Sequence, residues 1–221
     1  MILYSALYQG GFPFEDLFDR TIAISRPEQL DPANSALIIW GGEDISPSIY
    51  GERVNNMTHA KDTPSKRDRA EVALAQDAIE MGVPIIGICR GAQLMCALSG
   101  GKVIQHTTGH LGSHEMLAAG GEVIVTSSLH HQMLYPWEVE HQLLAYTPQL
   151  SRCHWGEDDQ EWAFPPHAYD TQGVLKEPEV VWFPKTRCLA IQGHPEFGTL
   201  KDRFVQYCRD LVKERITLAA A

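Results

Sequence analysis

The chain has 221 residues, a composition ordinary for a globular protein and a net charge of -10 at pH 7. An acidic chain without a basic stripe is not expected to bind nucleic acid. No run approaches the roughly 18 apolar residues of a membrane span, and "MILYSALYQGGFPFED" lacks the basic and long apolar regions of a signal peptide.

In chain order, "MILYSALY", "TIAIS" and "ALIIWGG" are short apolar runs bounded by turn residues, which suits buried strands. The basic cluster "KDTPSKRDR", Lys61 to Arg69, is interrupted by Asp62 and Asp68 and reads as a solvated face. "SKRDRAEVALAQDAIEMG" has a helical pattern that Gly82 stops, with Pro84 beyond it. "VPIIGIC" predicts a strand, and a second helix is expected just after Cys89. Residues 101–128 read as loops and short strands, with "EVIVTSS" as the last of them, and "LLAYTP" is a further strand beyond. The stretch from Cys153 to Glu177 has no periodicity, two tryptophans and many acids. It reads as a long surface excursion, of the kind that more often serves function than not. "VVWFP" and "CLAIQGHP" predict strands, and "LKDRFVQYCRDLVKERI" a closing helix with Phe204, Tyr207, Cys208 and Leu211 at helical spacing.

Alternating strands and helices imply one α/β domain over residues 1–221, a doubly wound, mostly parallel sheet with helices on both faces. Sites in such sheets gather at the carboxyl ends of the strands. Three glycine-bearing strand ends stand out: Gly41-Gly42, Gly87-Ile88-Cys89 and Gly193-His194. Gly87-x-Cys89-x-Gly91 has the form of a nucleophile elbow with Cys in place of Ser. The positive end of the following helix favours a thiolate there. A buried structural cysteine in a tight strand–helix turn fits the same pattern. In "IQGHPE", read as extended chain, His194 and Glu196 share a face, so the carboxylate can orient the imidazole. The glycines of "IIWGGED" let backbone N–H groups approach a substrate, as half of an oxyanion hole completed by the N–H of Arg90. A plain Gly-Gly turn reads identically.

"GICRGAQ", "GHPE" and "GGEDISPSIYGE" together resemble the class I glutamine amidotransferase family, most closely its γ-glutamyl hydrolase and γ-glutamyl-γ-aminobutyrate hydrolase branch. The resemblance implies a flavodoxin-like fold and a hydrolase cleaving a γ-glutamyl amide through a Cys thioester; the five cysteines, an odd number without a CxxC pair, separately suggest reduced thiols and a cytoplasmic protein. It implies a triad of Cys89, His194 and Glu196, and oxyanion donors at Gly41, Gly42 and Arg90. It puts Gln93 and the "SSLHHQ" segment, with Ser128 and His130, near the α-amino and α-carboxylate groups of the substrate. Glutamine or a γ-glutamyl amine would be the substrate, and a synthetase in trans a partner if ammonia is the product. A catalytically idle binding module is the rival from another class.

Gly193 stands where relatives often carry Trp, which suggests a more open pocket, and the acidic excursion is a candidate wall or lid for a leaving group larger than ammonia. No cofactor or metal is expected. His106, His110 and His114 recur every four residues, but Gly109 and Gly112 oppose the helix that would align them as ligands. Cys96, Cys153, Cys188 and Cys208 read as unreactive thiols.

Overall fold

The computed structural model describes residues 1–8 and 10–218. The first half of the chain builds a parallel sheet. Its strands are β1 (Ile2–Ala6), β2 (Arg20–Ile24), β3 (Ser35–Ile39) and, after helix α1 (Lys66–Glu80), β4 (Ile85–Ile88). Helix α2 (Arg90–Leu98) follows β4 directly. The second half is mostly strand: β5 (Lys102–Ile104), β6 (His106–Thr107), β7 (His114–Ala118), β8 (Val123–Thr126), β9 (Met133–Tyr135), β10 (Gln142–Pro148), β11 (His154–Trp155), β12 (Lys176–Phe183) and β13 (Cys188–Ile191). Helix α3 (Arg203–Val212) closes it.

Nine strands form one sheet in the order β2-β1-β3-β4-β13-β12-β10-β7-β8. The run from β2 to β13 is parallel, and the remaining four strands continue it antiparallel. The change has a local cause. Parallel neighbours need a long crossover, usually helical, whereas antiparallel neighbours can be joined by short turns. Between α2 and α3 the sequence has no helical pattern, and β7 turns into β8 through Gly120-Gly121. Two small ladders, β11 with β6 and β5 with β9, tie the excursion and the loops to this half.

The sheet is covered on both faces, so β3 is apolar along its whole length rather than alternating. Its Leu37 and Ile39 join one core with Leu74, Ala75 and Ala78 of α1 and Leu94 and Met95 of α2. Its Ala36 and Ile38 join the other with Phe204, Cys208 and Leu211 of α3. Helix α1 starts in a capping box, Ser65 with Asp68, and stops where Gly82 takes φ +72°. Helix α2 is apolar almost all round and buried nearly throughout, which fixes it as the central helix behind the strand ends. No helix of the described residues is long and apolar enough to cross a membrane.

Candidate active site

Three adjacent strands, β3, β4 and β13, bring the glycine-bearing ends together. Their register pairs Ile39 with Gly87 and Gly87 with Ala190. Gly41, Cys89 and Gln192, each two residues further on, therefore emerge at one level. The Gln192 amide reaches to 3.9 Å from the Cys89 sulfur.

Cys89 caps α2 with φ 49° and ψ -105°, a conformation non-glycine residues avoid. The turn is tight enough to require its glycines. A Cβ on Gly91 would fall on the Ile39 carbonyl, and one on Gly87 would stand 2.7 Å from the Gly91 oxygen. Gly41 lies against the same centre, since a Cβ there would come within 2.9 Å of the His194 ring and 3.5 Å of the Cys89 Cβ.

His194 Nδ1 is 2.7 Å from Glu196 Oε1. The link is not made by an extended segment sharing one face. Pro195–Phe197 form a 3-10 turn closed by Phe197 N–H donating to the His194 carbonyl, 3.2 Å. Proline's fixed φ suits that turn. Phe197 stacks on the imidazole, with centroids 4.5 Å apart. Burial works against the charged ring, but the hydrogen bonds and charges of Cys89 and Glu196 outweigh it and push His194 up to about 10. The ring is thus held as an imidazolium between two acidic groups.

Behind these groups lies a buried ion network. Arg90, 1 % exposed, pairs with Asp68, 2.5 Å, and with Glu71. Glu71 also accepts from Arg67 Nε, 2.9 Å, and Arg67 reaches Glu43, 2.8 Å. Arg67 donates as well to the Gly41 carbonyl, 2.8 Å, and the Trp40 carbonyl, 3.2 Å. In a trans peptide the N–H points opposite the C=O. The N–H groups of Gly41 and Gly42 are consequently turned away from Arg67. The cluster from Lys61 to Arg69 is therefore no simple solvated face. Arg67 lies one i,i+4 step before Glu71 on α1, a spacing visible in the sequence, and it lines the cleft.

The cleft measures about 800 Å³. Gly41, Gly42, Cys89, His194 and Glu196 line it, with an apolar wall that includes Tyr8, Trp40 and Phe197. Gln93, Ser128 and His130 lie behind this surface. The Gln93 amide donates to the Gln132 carbonyl, 3.0 Å, the Ser128 hydroxyl to the His110 carbonyl, 2.7 Å, and His130 Nδ1 to the Gln132 carbonyl, 2.8 Å. Leu129, between the last two, is the member of that segment facing the cleft.

Two further expectations are corrected. Gly193 does not open the pocket: a Cβ there would meet Thr126 Oγ1 at 2.5 Å, the Ser127 carbonyl at 2.7 Å and Phe204 at 2.8 Å. Glycine is needed because β8 and α3 already fill the space. The acidic excursion is not a lid either. Arg53 binds Glu157 and Asp158, Asn56 N–H donates to Asp159, 2.9 Å, and Asn55 donates to the Gly156 carbonyl, 3.1 Å. Among the described residues, none from 153 to 177 lines the cleft. His106, His110 and His114 also separate: His106 turns to His131, Nδ1 to Nδ1 3.2 Å, while the other two enter a different cluster.

The chain is similar to several known proteins. A Mycobacterium tuberculosis (strain H37Rv) protein provisionally named a glutamine amidotransferase is 31% identical over 180 residues, 77% of this chain and 56% of that one. The glutamine-hydrolysing GMP synthase of Agathobacter rectalis is 28% identical over 109 residues, 49% of this chain and 17% of that enzyme. The chain thus spans little more than half of the first relative and a small part of the second. Among solved structures, a Thermoplasma acidophilum protein provisionally named as one of the subunits of a GMP synthase superposes with a TM-score of 0.58 at 16% identity, covering 100% of this chain and 94% of that one, which is a likeness of fold. The sequence profile of Peptidase C26 matches residues 27–196, from before β3 to the carboxylate beside His194. With the three glycine-bearing strand ends and the elbow inside that match, the chain belongs to the Peptidase C26 family, of the class I glutamine amidotransferase type.

Proposed function

We propose that the protein hydrolyses a γ-glutamyl amide bond through a thioester on Cys89, releasing an amine larger than ammonia. The observation that carries this reading is the meeting of Cys89, His194 and Glu196 on one wall of an 800 Å³ cleft. The Cys89 sulfur attacks the δ-carbonyl carbon. The resulting oxyanion is met by N–H groups of the Gly41-Gly42 loop and of Arg90, the first residue of α2, whose N–H has no partner within the helix. His194, kept in place by Glu196, gives its proton to the departing amine. It then takes one from water, which cleaves the thioester and frees glutamate. Gln93, Ser128 and His130 serve the substrate indirectly, by fixing the backbone that carries Leu129. Room for a leaving group comes from the volume and apolar wall of the cleft, and not from Gly193 or the excursion.

A second reading has a specific observation behind it. The alignment with a GMP synthase, together with exposed apolar side chains at the cleft (Tyr8 62 %, Leu129 60 % and Phe197 66 % exposed), favours a glutaminase that docks on a synthetase and passes it ammonia. Purified protein assayed for glutamate with glutamine and with a panel of γ-glutamyl amines separates the two. A higher kcat/KM for a γ-glutamyl amine is expected, and Cys89→Ser should abolish it. Preference for glutamine would hand the case to the ammonia-supplying reading. No glutamate from any substrate would leave a binding module.

A further inference from the structure

Beside the proposed active site, on the far side of the 127–132 segment, lies a second cluster of ionisable groups that the cysteine chemistry does not use. His110, His130 and Glu179 are 1 %, 5 % and 1 % exposed, and one donor atom from each lies within 4.8 Å of the others. His110 Nδ1 is 3.5 Å from Glu179 Oε1, and the His110 and His130 rings stack with centroids 4.7 Å apart. They arrive from three places: the loop before β7, the loop before β9, and β12. No helix is needed, so the glycines that opposed one in the sequence have no bearing here.

The hydrogen bonds around the cluster leave one atom on each of its three residues bare. The Gln132 carbonyl can only accept, so His130 Nδ1 must carry the proton and Nε2 presents a lone pair. The Glu177 carboxylate fixes the proton of His110 on Nε2, 3.0 Å, and leaves Nδ1 facing Glu179. Glu179 Oε1 accepts from His114 Nε2, 2.8 Å, and from the Thr147 hydroxyl, 3.1 Å. His110 Nδ1, His130 Nε2 and Glu179 Oε2 are buried without a hydrogen-bond partner among the described residues. One orphaned buried polar atom costs free energy, and three in one cluster of side chains ask for a common partner.

We propose that His110, His130 and Glu179 form a binding site for a divalent first-row transition metal ion, with Glu177, His114 and the Gln132 carbonyl as the outer partners that orient the ligands. Two imidazoles and one carboxylate are a recurrent ligand set for zinc and for iron(II), and hydrogen-bonded outer partners of this kind accompany metal-bound histidines. The ion's place is structural with respect to the proposed chemistry. It would tie the 127–132 segment to β12. In that segment Ser127 accepts from the His194 N–H, 3.1 Å, and donates its hydroxyl to the His194 carbonyl, 2.6 Å. This inference is independent of the proposed amide hydrolysis, so Cys89→Ser should bind the same ion.

The test uses the full chain, stripped with a chelator, titrated with Zn²⁺ or Co²⁺ and passed over a desalting column before metal analysis. One equivalent is expected to remain, with a visible Co²⁺ spectrum of low coordination number and a higher Tm. His130→Phe and Glu179→Gln should lose the ion, and His114→Gln should bind ~10–100-fold more weakly. His59→Ala removes the more exposed group Asp44, His59 and His131 and should leave the bound equivalent in place. Wild-type protein that retains no metal overturns the proposal, whatever the variants do, and leaves the cluster a hydrogen-bonded one. Metal that departs with His59→Ala and stays with His130→Phe overturns it as well.

Discussion

Cys89 holds a backbone conformation that costs of order 1–3 kcal/mol for a residue with a side chain, and it does so in the lining of the cleft. The other cysteines are set apart from it. Burial pushes Cys96 up to about 12 and Cys188 and Cys208 well above the ordinary thiol value, leaving only the half-buried Cys153 as a competitor. A glutamine-like electrophile should therefore label Cys89 first and stoichiometrically, which peptide mapping would read. Labelling spread evenly over Cys153 and the buried thiols would count against the elbow. Glu196→Gln should keep the fold and reduce turnover by on the order of 10²–10⁴, because the ring loses the carboxylate that orients it and balances its charge.

The His194 proton gives a pH signature. Its folded value, about 10, stands above the ordinary 6.5, so between these limits the folded protein binds the extra proton. The stability this contributes is complete below about pH 6.5 and is lost as pH rises through about 10. In Cys89→Ser one of the two acidic partners is gone. An NMR titration should then find His194 closer to its ordinary value, and the decline of stability across that window should become shallower.

At the scale of elements, α1 does more than cover the sheet. Its Arg67, Asp68 and Glu71 reach the Gly41-Gly42 loop on one side and Arg90 on the other. Removing a partner from a buried ion network is more damaging than never having built one. Glu71→Ala should cost about 3–5 kcal/mol in denaturant unfolding, whereas the exposed pair Arg203–Glu122 should yield under about 1 kcal/mol when broken. Much of this layer was legible in the sequence. The eight apolar runs are β1, β2, β3, β4, β8, β10, β12 and β13, and α1 and α3 lie where periodicity put them. The elbow was legible because Gly87 answers to sterics within five residues, the Gly91 carbonyl and the Ala92 N–H, while Gly91 completes the pattern for a reason the sequence does not show, the Ile39 carbonyl of β3. The roles of Arg67 and Gly193 were not. Both depend on what another part of the chain brings: the Gly41 carbonyl to the first, Thr126 and Phe204 to the second. The His110, His130 and Glu179 cluster was hidden for the same reason, since its members are up to 69 positions apart.

At the scale of the whole molecule, the sheet divides its labour. The parallel strands carry the cleft, and the antiparallel ones carry the histidine cluster and the excursion. The excursion has a small core of its own, where Tyr135, Trp137 and Leu175 are buried with Trp162 and Phe164 packed against them. Arg53 and Asn56 fasten its acidic tip. Arg53→Ala should accelerate limited proteolysis near residues 157–161 while leaving the kcat/KM ratio of γ-glutamyl amine to glutamine unchanged. A changed ratio would return the excursion to the substrate's neighbourhood.

The register of β3, β4 and β13 carries a further consequence. The proposed oxyanion loop, nucleophile and base each extend from a buried strand in one contiguous run of three, so none can loosen without breaking the most protected hydrogen bonds in the sheet. The amides of these strands should exchange with solvent only through global opening. Loss of activity, loss of far-ultraviolet dichroism and exposure of the Cys89 thiol should then trace one curve in urea, with a single midpoint. The active site would have no partial failure: a molecule in the population would be competent or unfolded, and heating would lower the number of working molecules without degrading the work each one does.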